Sequence, residues 1–192
     1  MSIVSYLVIA LALGLVNMLL FRRCGEVTPV RLSAGLLIAA SVAAIHVVFY
    51  WVGAAIGSLM SLHSAEDPMM YDDFNAYIFL GMVLIVAIKM LVPYLRREPR
   101  LPVFDLRRPA MTLAMAAATG INVLLLGIGV GFVDPGYSIH KIIWPLLVAC
   151  LLLGYLGLMF GRQKVELRPR RWMIVSCVLL LGVAIAAVVN AS

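Results

Sequence analysis

Six long apolar runs, joined by short connections that gather the positive charge into every second one, leave this chain very few ways to fold. The runs lie at about 3–21, 32–60, 75–95, 109–133, 141–161 and 172–190. Each is close to or above the roughly 20 residues that cross a hydrocarbon core as a helix. Inside a bilayer the backbone must satisfy its own hydrogen bonds, which leaves helices and closed barrels. Apolarity here is continuous rather than alternating, so the segments read as helices and not as barrel strands. The expected fold class is an all-α integral membrane protein, with residues 1–192 forming a single transmembrane domain. Composition excludes the soluble alternatives. Hydrophobic residues make up 64% and charged residues 12%, and a small water-soluble fold cannot cover that much apolar surface. Soluble enzymes, nucleic-acid binders and disordered chains are thereby set aside.

The net charge of +6 reports topology rather than a nucleic-acid partner. Of 15 Lys and Arg, all but Lys89 and Lys141 fall in three connections: Arg22, Arg23 and Arg31; Arg96, Arg97, Arg100, Arg107 and Arg108; Arg162, Lys164, Arg168, Arg170 and Arg171. Basic connections stay on the cytoplasmic side, so both termini are expected outside. The connection carrying Glu66, Asp67, Asp72 and Asp73 has no Lys or Arg and suits the outer face. Residues 1–21 are expected to persist as an uncleaved helix, because Arg22 and Arg23 follow the apolar stretch where a signal peptide needs them in front. The second run, about 29 residues long, exceeds the membrane thickness and must tilt, bend or protrude. The basic clusters can also attract anionic headgroups, making membrane lipids a partner.

The two halves of the chain resemble one another. Gly14-Leu-Val-Asn17-Met-Leu-Leu in the first span parallels Thr119-Gly120-Ile-Asn122-Val-Leu-Leu in the fourth. Tyr50-Trp-Val-Gly53-Ala-Ala-Ile-Gly57 parallels Gly154-Tyr-Leu-Gly157-Leu-Met-Phe-Gly161, and Leu80-Gly81 parallels Leu181-Gly182. A unit of three spans enters the membrane from opposite sides on its two occurrences. The expectation is therefore an inverted 3+3 repeat, about 1–95 and about 109–192, with a substrate path near the midplane where the halves meet. Asn17 and Asn122, the only asparagines in span interiors, would be symmetry mates there.

Ala118-Thr119-Gly120-Ile121-Asn122, followed by Gly127, Gly129 and Phe132, resembles the fourth helix of the bacterial manganese efflux pump (MntP-type) family, within the LysE-type translocators. Leu156-Gly157-Leu-Met-Phe-Gly161-Arg162 is similar to its fifth helix. The resemblance implies a six-span exporter in the bacterial inner membrane that moves a divalent cation. It also implies acidic residues in the first and fourth helices, where this sequence has Asn17 and Asn122, and another in the second helix at about Ala43. No Asp or Glu lies inside any span. Mn²⁺ prefers carboxylate, carbonyl and water ligands, so metal ligation by Asn17 and Asn122 rests on family position alone, and a less highly charged small solute is a second substrate class.

Each polar span residue also has a structural reading. Asn17 and Asn122, with Thr119 beside the latter, can make interhelical hydrogen bonds or line a substrate path. His46 is either a neutral imidazole bonded to a neighbouring helix or a proton-carrying or metal-binding group. Lys89 can snorkel to the interface. Cys24, Cys150 and Cys177 form no spaced motif, and the eleven Met residues fit ordinary helix packing. No catalytic constellation is present, so no enzyme activity and no cofactor is expected. A non-transporting subunit is the alternative from another class: Gly53, Gly57, Gly154, Gly157 and Gly161 offer small-residue faces on which partner membrane proteins or a second copy could pack.

Overall fold

The computed structural model describes residues 1–62, 68–95, 103–134 and 138–191. Six helices fill it: α1 (Ile3–Val27), α2 (Leu32–Leu62), α3 (Pro68–Leu95), α4 (Pro109–Val133), α5 (Ser138–Arg162) and α6 (Pro169–Ala191). All six are long and apolar enough to cross a membrane, and no strand occurs among the described residues. Glu66, Asp67, Arg96, Arg97, Arg100 and Ser192 lie outside the described residues.

Local chemistry sets several helix ends. Pro68, Pro109 and Pro169 open α3, α4 and α6; at the first helical position the missing N–H costs nothing, because that donor has no partner inside the helix. At the start of α1 the Ser2 hydroxyl accepts from the Ser5 N–H at 3.2 Å, which meets one unsatisfied donor. Beyond α5 the chain turns through Lys164 at a φ of 53°. Helices α1 and α3 outrun their apolar runs by several residues, since hydropathy marks only the hydrocarbon portion and the helix continues into the polar interface. Thus Arg22 and Arg23 stand on the last turns of α1. α2 runs unbroken for 31 residues, about 46 Å at helical rise.

Packing is pairwise. α1 lies on α5, α2 on α4 and α3 on α6, with further contacts between α2 and α5, α3 and α4, and α1 and α6. Glycine makes the first two pairs possible. A Cβ on Gly53 or Gly57 would run into the carbonyl oxygens of Leu124 or Ile128, and one on Gly127 or Gly131 into those of Tyr50 or Ala54. The same device joins α5 to α1, where Gly157 and Gly161 face the carbonyls of Met18 and Arg22. Backbone-to-backbone approach of this kind replaces the hydrophobic drive that helices lack in lipid with close van der Waals contact.

α1 and α4 are the central helices. Their apolar windows are 56% and 50% buried, against 28–33% for the other four. They run antiparallel: the Tyr6 hydroxyl, near the start of α1, donates to Asp134 just past the end of α4, whereas the Cys24 thiol, near the end of α1, lies 4.0 Å from the sulfur of Met115 near the start of α4. The outer surface is apolar, with Leu37, Trp144, Val178 and Val189 each more than half exposed, as lipid contact requires.

Candidate functional site

Halfway along these central helices the chain buries a line of polar side chains. Asn17 on α1 is 2% exposed and His46 on α2 is 1% exposed. The Asn17 amide Nδ2 donates to His46 Nδ1 at 3.0 Å. The amide nitrogen has no acceptor capacity, so Nδ1 carries the lone pair and Nε2 the hydrogen. His46 Nε2 then donates to the Thr119 hydroxyl at 2.8 Å, and Thr119 donates onward to the Met115 carbonyl at 2.9 Å. The thiol of Cys150, on α5, is buried as well. The line therefore runs Asn17, His46, Thr119, with one residue from each of α1, α2 and α4. It crosses between the two glycine-packed pairs, so the close helix approach brings these side chains into register.

Asn122 takes a different place. It is 8% exposed and sits one turn beyond Thr119 on α4, and its Oδ1 has no hydrogen-bond partner. Among the described residues no hydrogen bond joins Asn122 to Asn17, His46 or Thr119. An orphaned buried amide oxygen costs about 1–3 kcal/mol, which leaves an acceptor available to a cation or to its hydration water. The second-helix position expected near Ala43 is occupied by a wholly buried alanine; His46, one turn further along α2, is the residue that reaches both neighbouring helices.

The five glycines expected at helix contacts are all taken up within the chain. Gly53, Gly57, Gly157 and Gly161 meet neighbouring backbone, and Gly154 lies against the Phe21 ring. Lys89 is exposed on α3, away from the buried line. Among the described residues no group of three or more His, Cys, Asp or Glu stands ready to hold a metal ion, and the carboxylates Glu26, Asp105, Asp134 and Glu166 lie at or beyond helix ends. Two ties close the ends of α1. Asp134 receives Tyr6 and the Met1 amine at 3.2 Å, and Arg22 Nε donates to the Val165 carbonyl at 2.9 Å, beyond the end of α5.

A bundle of six apolar helices, with Asn17, His46 and Asn122 buried among them, is the build of a multi-pass membrane protein. The family model Mntp, "Putative manganese efflux pump", matches residues 29–188, most of the chain. The chain belongs to this family of membrane transporters. The matched stretch contains His46, Thr119, Asn122 and Cys150 and begins after α1, so Asn17 lies outside it. No curated protein and no solved structure matches the chain.

Proposed function

We propose that this protein exports a divalent cation across the bacterial inner membrane by rocking two inverted three-helix repeats, about 1–95 and about 109–192, with Asn17, His46, Thr119 and Asn122 lining the path. The observation that carries the reading is the bridge from Asn17 through His46 to Thr119. It joins α1, α2 and α4; inverted repeats hold their substrates where the two halves meet, and an ionisable side chain buried in a span is a functional group by default.

The contact pattern supports the repeat. Exchanging α1 with α4, α2 with α5 and α3 with α6 carries the α1–α5 contact onto α4–α2 and α3–α4 onto α6–α1. The α2–α5 and α3–α6 contacts map onto themselves. The antiparallel course of α1 and α4 agrees with inversion, and the charge alternation supports an orientation with both termini outside. In this arrangement α1 is tied to the second repeat at both ends. Opening outward requires release of Tyr6 from Asp134, and opening inward requires release of Arg22 from Val165. The cation then meets neutral donors only: imidazole Nδ1 when the Asn17 amide turns away, amide oxygens, and the Thr119 hydroxyl.

Flux in inside-out vesicles, measured over a panel of divalent metals, tests the reading. Saturable metal accumulation that Asn17→Ala and Asn122→Ala reduce is the expected result. Wild-type rates in both variants overturn the site assignment. Absence of any flux, together with stoichiometric co-purification of other membrane proteins, supports the non-transporting subunit instead.

A further inference from the structure

We propose that the hollow where α2 begins, beside the end of α5, is a binding site for the headgroup of an anionic phospholipid, its phosphate held by Arg31, Arg162 and the backbone N–H groups that open α2. The site is independent of what the bundle transports.

Three observations meet there. The first is shape. Pro29, Val30, Arg31, Leu32, Ser33 and Arg162 line a hollow of about 470 Å³. It adjoins a recess of about 250 Å³ along α5, where Leu32 and Arg162 are joined by Met159 and Gln163. The second is unspent charge. The side chains of Arg31 and Arg162 are both exposed. Among the described residues the arginine ion pairs are Arg23 with Glu26 and Arg108 with Asp105, so neither guanidinium in the hollow has a carboxylate. The third is the start of α2. Its first backbone bond runs from the Gly35 N–H to the Arg31 carbonyl at 2.8 Å, so the N–H groups of Leu32, Ser33 and Ala34 have no acceptor inside the helix. No backbone acceptor elsewhere among the described residues meets them.

A phosphate diester suits all three. A guanidinium presents paired N–H donors that match two phosphate oxygens, and the free N–H groups and positive dipole end of a helix start favour an anion. The source of that phosphate is a lipid rather than the water phase. Arg31 and Arg162 stand at the ends of the apolar spans Leu32–Ser61 and Lys141–Arg162, the depth at which the headgroup layer meets the hydrocarbon core. Val30, Leu32 and Met159 line the same hollow and recess and give the glycerol and the first acyl carbons apolar walls. Basic pockets between spanning helices take headgroups of this kind. A zwitterionic lipid brings an ammonium along with its phosphate, which two arginines repel, so the site selects lipids of net negative charge.

Native mass spectrometry of the purified full chain in detergent counts the lipids retained as phosphatidylglycerol or phosphatidylcholine is titrated in. The expected result is one phosphatidylglycerol per chain, held more tightly than phosphatidylcholine and left in place by an excess of inorganic phosphate. Arg31→Gln with Arg162→Gln should weaken phosphatidylglycerol binding about thirtyfold, the effect of two basic residues beside an anionic headgroup. Arg170→Gln with Arg171→Gln removes the same charge from the start of α6 and should leave binding nearly unchanged. Equal retention of the two lipids, displacement by inorganic phosphate, or an equal loss in both double variants overturns the proposal. The lipid comparison and the phosphate competition need only the wild-type chain, so they decide even if a variant fails to fold.

Discussion

The hydroxyl of Tyr6, one turn into α1, donates to the carboxylate of Asp134 immediately past the end of α4, and this bond ties the two central helices at one end of the bundle. Tyr6 itself is fully buried, so the bond is shielded on the tyrosine side. Tyr6→Phe keeps the ring packing and removes the donor, leaving Asp134 with the Met1 amine. Hydrogen bonds to charged groups contribute about 1.5–3 kcal/mol. Unfolding in detergent should show a loss of that order, together with faster labelling of a cysteine introduced at Ser5. Unchanged stability and labelling would show that the bond closes nothing.

Glycine placement gives a sharper contrast. Gly57→Ala sets a methyl group against the Ile128 carbonyl, which is backbone and cannot swing aside. Overpacking of this kind costs about 1–3 kcal/mol. Gly182 has open space where a Cβ would go, so Gly182→Ala should be neutral or slightly stabilising. Thermal denaturation of the two variants in the same detergent checks the pair, and equal melting temperatures would contradict the α2–α4 packing.

Topology is testable with single cysteines, since Cys24, Cys150 and Cys177 are buried and should give little background with an impermeant maleimide. A cysteine at Arg107 should react only after the membrane is opened, and cysteines at Glu66 and Ser192 should react in intact cells. Labelling of position 107 from outside would reverse the orientation.

How much of this was legible in the sequence depended on which physical signal each feature carries. α4 matches its apolar run at both ends because Pro109 starts it where the hydrophobic residues begin and Asp134 follows where they stop. α3 begins at Pro68, ahead of its run at about 75, because helix continues where the solvent turns polar and hydropathy falls silent. Asn17, His46, Thr119 and Asn122 stood out as polar groups in apolar spans. Their connection through His46 did not, since it depends on which faces of α1, α2 and α4 meet. The Tyr6–Asp134 tie joins residues more than a hundred positions apart and leaves no local pattern.

Restoring charge probes the family comparison. Asn17→Asp with Asn122→Asp places two carboxylates on the central helices, where mutual repulsion and burial resist joint ionisation. A bound divalent ion offsets that cost and stabilises the fold by about 2.7 kcal/mol at a hundred times its dissociation constant. Mn²⁺ should therefore raise the melting temperature of the double variant well above its effect on the wild type. Equal, negligible shifts would separate these asparagines from a manganese site.

The central claim is that His46, held between Asn17 and Thr119, lies on the path of a transported metal. Metal flux into inside-out vesicles, compared between wild type, Thr119→Val and His46→Ala at matched protein levels and verified folding, tests it most directly. Thr119→Val removes an interhelical hydrogen bond worth about 0.6–2 kcal/mol and should slow transport partially, while His46→Ala removes the nitrogen that meets the ion and should abolish it. Undiminished metal flux through folded His46→Ala protein would contradict the account.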